Sequence, residues 1–381
     1  MSHEKTKYFG VGCFHFGYFP KKESKKTGVD YLQKLRSVLE GLTNTEAIEI
    51  RDHPDFKSQE LVASYAGAPF GDAPDFFPTA PGNLDLEFVL AIPERVQKEL
   101  GEPKSFWEPL PSERFRIVIQ YGYHFPVTFV EVLDPQKECD GSDAIWMVRR
   151  FLEKEFKKLP DAEIRFEFLG PTPFHADFIL EQAGEATPDS DPGPLPEFTE
   201  CTRIEQRGYD LIAFRCNNEN LEDAFDSLLY HIADQLQYFY YLKHTWLLRS
   251  HRWMHLSEQI QSLITRHRKE GFTALWFNTF RSGSLIHNAM ISLAEFESSD
   301  IQVLQVCKSE LNEFQANPWE PELQPYLEKE FDDFEVLPSE QFGRILTLLE
   351  TKRSKRLNIV VTILAAILGG AVGAWITIAN T

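Results

Sequence analysis

Cysteine, basic charge and catalytic signatures are all scarce in this sequence of 381 residues. The five cysteines (Cys13, Cys139, Cys201, Cys216 and Cys307) are odd in number and widely separated. No two have zinc-site or redox spacing, so they read as ordinary thiols of a reducing compartment. Acids outnumber bases by 58 to 39, a formal charge of −19. That balance argues against general affinity for nucleic acid or for anionic lipid, both of them polyanions, with the bases just before the apolar tail the local exception. GxSxG, HExxH and GxxxxGK[ST] are missing. Gly10-Val11-Gly12 finds its next glycine only at Gly17, which fails the dinucleotide fingerprint. Carboxylates are too numerous for any two to be singled out as acid and base. No catalytic residue or cofactor is assigned, and the enzyme reading is the weaker one.

Charge of either sign is missing altogether from Leu357 to Thr381. A helix of that length reaches roughly 37 Å, more than the hydrocarbon core of about 30 Å. Directly before it stands a basic collar, Lys352, Arg353, Lys355 and Arg356. A buried core helix of this length and apolarity is rare, and rarer behind such a collar. The N-terminus, Met1 to Val11, is too short and too interrupted to be a signal sequence. The expectation is a single-pass, tail-anchored chain whose first partner is the lipid bilayer. By the positive-inside bias the collar, and everything before it, stays in the cytoplasm.

Within the apolar tail the small residues are ordered. Ala365, Gly369 and Gly373 form one row, and Ala366, Gly370 and Ala374 an adjacent one. Lipid gives helices no hydrophobic reason to associate, so close backbone approach through such rows is the usual route to self-association. A homo-oligomer is expected. Nothing ionisable lies in the span, so one such helix by itself makes a poor conduction path.

The first two thirds alternate strand and helix signals. Strands are expected at Tyr8–Phe19, Ala47–Ile50, Leu86–Ile92, Phe115–Tyr121, Val127–Leu133, Ile164–Leu169, Ala176–Leu180 and Tyr209–Phe214. Val29 to Leu42 and Asp143 to Leu159 carry helical spacing. Ala66–Pro81 reads as a long loop, and Glu181–Glu200, with four prolines and six acids, as a surface excursion. From Asn218 the period becomes helical as far as about Arg268, and Gly271 interrupts it. Further helices are expected at Ser284–Phe296 and Ile301–Phe314, with breaks at Pro318, Pro321 and Pro325. A last helix starts at Ser339 and has no reason to stop before Ile378. The class is α+β: a mixed domain over 1–217, a helical region over 218–338, a juxtamembrane helix over 339–356 and a span over 357–379.

Two constellations in the helical region invite a ligand. His244, His251, His255 and Glu258 share a helical stripe, and His251 and His255 have the i, i+4 spacing of a chelate. With Glu258 they are the candidates for a divalent metal; a polar seam between helices explains them as well. Lys243, Arg249, Arg252, Arg266 and Arg268 cluster with Trp246, Trp253 and Trp276 in an otherwise acidic chain. They can grip a phosphorylated small ligand or a single strand of nucleic acid. Alternatively they pair within the chain, with Glu313–Glu350 (ten acids, two bases) the obvious partner.

The order of α/β domain, helical region and terminal helix entering the membrane through Arg356-Leu357-Asn358 resembles the CorA-type magnesium channel superfamily. Ile359, Val360, Val361, Thr362 and Ile363 continue like that family's pore helix. The resemblance implies an oligomeric, ion-conducting membrane protein. The family's Gly-Met-Asn loop and second membrane helix have no counterpart here.

Overall fold

The structure is a computed structural model that describes residues 6–18, 26–52, 56–57, 60–61, 84–101, 109–122, 125–159, 163–182, 198–217, 220–316, 321–334 and 336–379. The expected loop Ala66–Pro81 and residues 183–197 of the expected excursion lie outside them. The chain divides into two compact units, Met1–Thr245 with Ser309–Asp333, and Trp246–Lys308 with Phe334–Thr381. Residues 218–338 are thus shared between the two.

The elements begin with β1 (Thr6–Tyr18), β2 (Lys26–Thr27), α1 (Gly28–Gly41), β3 (Thr45–Asp52), β4 (Glu60–Leu61), β5 (Leu84–Ala91) and α2 (Glu94–Leu100). There follow β6 (Arg114–Tyr121), β7 (Pro126–Leu133), α3 (Gly141–Phe156), β8 (Ile164–Leu169), β9 (Ala176–Gln182), β10 (Phe198–Ile204) and β11 (Asp210–Cys216). The rest is helical: α4 (Leu221–Arg268), α5 (Phe272–Trp276), a π-helical turn (Phe277–Arg281), α6 (Ser282–Ala316), a 3-10 turn (Pro321–Leu323), α7 (Gln324–Asp332) and α8 (Ser339–Ala379). The α+β class holds.

In the first unit the main sheet runs β10-β11-β9-β1-β7-β6-β5-β3, with β8 on the second half of β1. Every pairing in it is antiparallel except β9 with β11. From its third residue on, β1 is buried on both faces. On one face Phe14 and Phe16 join Tyr31, Leu35 and Leu39 of α1 and Ile145, Val148 and Leu152 of α3 in one core. The approach of α3 is close because two glycines meet. A Cβ at Gly10 would lie 2.1 Å from the Gly141 carbonyl oxygen, and one at Gly141 2.0 Å from that of Phe9. α1 opens with a capping box, the Thr27 hydroxyl and the Asp30 carboxylate each accepting a backbone N–H from the other residue. The opposite face of β1 meets α4, whose Phe225 ring stands edge-on to Phe9 with centroids 5.1 Å apart.

The second unit packs the later part of α4, the earlier part of α6 and the start of α8 around Leu256, Ile260, Leu263, Ile286, Leu293, Phe296 and Leu346. Trp253 stacks on Phe342 at 4.8 Å, which locks α4 to α8. α8 is one helix from Ser339 to Ala379, as the apolar stripe and tail require.

Several sequence expectations need correction. α6 is continuous where two helices, Ser284–Phe296 and Ile301–Phe314, are expected: in the gap between them, which holds Ser298-Ser299-Asp300, the Ser299 hydroxyl bonds back to the Phe296 carbonyl, and Asp300 is held by Arg249. Ser299 and Asp300 are thus satisfied without a break in the helix. Pro325 opens α7 rather than ending a segment, because proline suits a first turn that needs no N–H. β10 starts at Phe198, inside the stretch read as excursion, and α2 was not expected at all. Gly271 does interrupt, at φ +111°.

Candidate functional site

The polar interior of the first unit lies on the sheet face under α4. Arg116 and Glu131 are directly opposite on β6 and β7, and Glu87 sits diagonally on β5. Arg116 Nε donates to Glu87 at 2.6 Å, Nη1 to Glu222 at 2.9 Å and Nη2 to Asp226 at 2.7 Å. Glu131 is 3.6 Å from Nη1 and takes a hydrogen bond from Lys7, which also reaches Glu222 at 2.6 Å. Burial works against the Lys7 charge, but Glu131 and Glu222 outweigh it and its pKa is raised. Glu222 and Asp226 stand one turn apart at the start of α4, so the two cations clamp that helix to the sheet. Beside the clamp a concavity bordered by Arg51, Asp85, Gln120 and Tyr230 has room for about one water molecule. Every cation here is committed to carboxylates. The arrangement fastens a helix.

The metal candidates are not gathered. His251 and His255 are half-buried on α4, the His255 ring 3.4 Å from the Gln259 amide, and Glu258 is exposed. Among the described residues no three His, Cys, Asp or Glu side chains come together as a metal site. His244 belongs to the first unit and lies against Phe125, centroids 5.4 Å apart. None of the five cysteines is in a disulfide.

The basic cluster is dispersed among partners of the same chain. Lys243 pairs with Glu330, and its ammonium also faces the Phe239 ring. Arg249 is buried and bidentate on Asp300, at 2.5 and 3.2 Å. Arg252 is half-buried, Arg266 lies over the Phe277 ring at 5.6 Å, and Arg268 is exposed. The tryptophans separate likewise, Trp253 into the core of the second unit and Trp276 onto Phe280 at 4.5 Å.

Where the second unit gives way to the apolar part of α8 the collar is uneven. Lys352 and Lys355 are exposed, whereas Arg353 is bidentate on Glu350 at 2.7 and 2.8 Å, and Arg356 is half-buried. Arg353 also lies against Gly283 of α6, where a Cβ would meet its guanidinium at 2.7 Å. Beyond the collar α8 stands bare: its most apolar stretch has mean hydropathy 1.6 and none of it is buried. Ala365 and Ala366 are exposed, and a Cβ at Gly369 or Gly370 would meet nothing within 4 Å. The side-chain surroundings of Gly373 and Ala374 lie outside the described residues. Compared with protein-family models, curated proteins and solved structures, the chain matches none.

Sequence reasoning missed two features. The clamp was signalled by Arg116 and Glu131 at the centres of otherwise apolar strands, and by Glu222 and Asp226 one helical turn apart. The tip between α4 and α6 was signalled by Phe272, Leu275, Trp276 and Phe280 at helical offsets, with Thr273, Asn278 and Thr279 among the residues between them.

Proposed function

We propose that the chain is a membrane-anchored interaction protein, its folded units held at the cytoplasmic surface and assembled into a homo-oligomer by the span. One observation carries this: beyond a basic collar α8 continues as a long apolar helix that is exposed over residues 361–372. Uncovered apolar surface of that length suits lipid and not water. The bare small-residue rows support self-association, since a second helix finds nothing in the way at Gly369 or Gly370.

Deleting residues 357–381 should release a folded protein from membranes that retain the full chain after a carbonate wash. If the truncated chain stays with the membrane, or the full chain washes off, α8 is not the anchor. Gly369→Leu should weaken the oligomer while leaving insertion intact; an unchanged oligomer would remove the span from assembly. A CorA-like ion-conducting oligomer is the runner-up, favoured by the unbroken course of α8 through Arg356-Leu357-Asn358. Absence of current from reconstituted oligomers in planar bilayers would end it.

A further inference from the structure

The hairpin tip between α4 and α6 is built inside out. Phe272, Leu275, Trp276 and Phe280 recur at offsets of one helical face, and all four are exposed, Phe272 to 80% and Trp276 to 54%. Buried in the same segment are Asn278 and Thr279 at 2% exposure and Ser282 at none. A tip designed for water carries the reverse distribution. Two of these buried polar groups, the Thr279 and Ser282 hydroxyls, are satisfied locally. The π-helical turn widens the helix there, the Thr279 hydroxyl donates to the Leu275 carbonyl at 2.8 Å, and the Ser282 hydroxyl to that of Asn278 at 2.9 Å.

Contacts within the second unit fix the level of this tip along α8. Arg353 of α8 fills the space at Gly283, and the π-helical turn packs on α8. His267, at the end of α4, has its pKa lowered first by burial and then by Arg356 and Lys352, so the collar lies beside it. α6 and α8 run in opposite senses here, so the residues preceding Gly283 lie alongside those following Arg353. Arg356, Leu357 and Val360 are still half-covered, while Ile359 and residues 361–372 are exposed. The aromatic face therefore sits just past the collar, level with the first turn of the apolar segment. Around it Arg266, Arg268, Lys269, Arg281, Lys352 and Lys355 are exposed, a basic rim in an acidic chain.

We propose that Phe272–Phe280 is a second membrane contact, an interfacial wedge seated at the boundary of lipid headgroups and acyl chains beside the span. Its aromatics enter that boundary to a depth of about 5–10 Å, where tryptophan is favoured, and the basic rim faces anionic headgroups. The occupant of this apolar face is the same bilayer that α8 enters. The proposal rests on the anchoring role given to α8 above.

The test uses the full chain in vesicles of phosphatidylcholine with a minority of phosphatidylserine, read by tryptophan fluorescence. Trp276→Phe and Trp375→Phe isolate one reporter on the wedge and one in the span. The emission lost in Trp276→Phe should be blue-shifted, mostly quenched by phospholipid brominated near the headgroup, and shielded from aqueous acrylamide. Phe272→Trp in the Trp276→Phe background should restore the same behaviour from a second position. If Trp375 is quenched by brominated lipid while Trp276 answers only to acrylamide, the wedge is refuted and the anchor stands. Shielding of Trp276 from both quenchers would mean that protein, such as a second copy, covers the face, and would also refute it. If Trp375 is not quenched by lipid, the anchor fails and the proposal falls with it.

Discussion

The face of the main sheet beneath α4 and the tip of the α4–α6 hairpin handle polarity in opposite ways. Under α4 charges are taken inside, but each is met: Arg116 has three carboxylates within 3 Å and Lys7 has two partners. At the tip, neutral polar side chains are inside and large aromatics are outside. A buried charge is tolerable only when paired, and exposed aromatic surface only when something other than water covers it. The first region needs no partner beyond the chain, while the second is the surface that the proposed wedge gives to lipid.

The largest way to break the first half of that contrast is Arg116→Met. Glu87, Glu131, Glu222 and Asp226 would keep their charges and lose their shared cation, at a cost of about 3–5 kcal/mol. Denaturant unfolding should show it, with part of the loss recovered at acid pH as the carboxylates protonate. A loss below about 1 kcal/mol would mean that the clamp is solvated and incidental.

A paired substitution sharpens the second half. Leu256→Ala removes a core side chain of the second unit and should cost about 2–5 kcal/mol. Phe272→Ser, on the tip, should change the stability of the detergent-solubilised protein by no more than about 0.5 kcal/mol. Comparable losses at both sites would show that the tip aromatics are buried in solution.

The smallest effect separates a titrating neighbour from the fixed charges of the clamp. His15, on the α4 side of β1, is fully enclosed, and burial lowers its pKa to about 4. A lowered histidine binds its proton in the unfolded chain before the folded one. Its contribution is therefore full above the unfolded value of about 6.5 and declines by about 1.4 kcal/mol per pH unit toward about 4. Its register partner Glu167 is pushed up to about 7 by burial and acts in the other sense, losing stability as pH rises from the unfolded carboxyl value. Subtracting the unfolding curve of His15→Gln from that of the parent between pH 4.5 and pH 6.5 isolates the histidine; a flat difference would show that His15 is hydrated.

Much of this was legible in the linear order of residues. Alternation in Tyr8–Phe19 and Phe115–Tyr121 marks strands that the structure extends by a residue or two at most. Such strands are legible because β-branched and aromatic residues, which suit a pleated sheet, run through them, although both faces are buried. The Ser298-Ser299-Asp300 stretch and Pro325 misled, because their polar groups and missing N–H are accommodated by neighbours or position rather than by local propensity. The histidine stripe on α4 was legible as a stripe, but whether ligands converge on it depends on residues far away in sequence. The dispersal of Lys243 to Glu330 and Arg249 to Asp300 is of the same kind.

What the sequence determined by itself is the part set by short-range regularities. The apolar tail, its basic collar, the small-residue rows and the alternating strands each depend only on neighbours within a few turns. Which face of α4 meets the sheet, and where it passes to a different core, depended on tertiary structure. So did the sheltering of Arg116 by carboxylates from β5, β7 and α4, and the outward turn of the tip aromatics at the level of the collar. Those outcomes are set by which surfaces exclude water from one another, and that is a property of packed elements rather than of any segment.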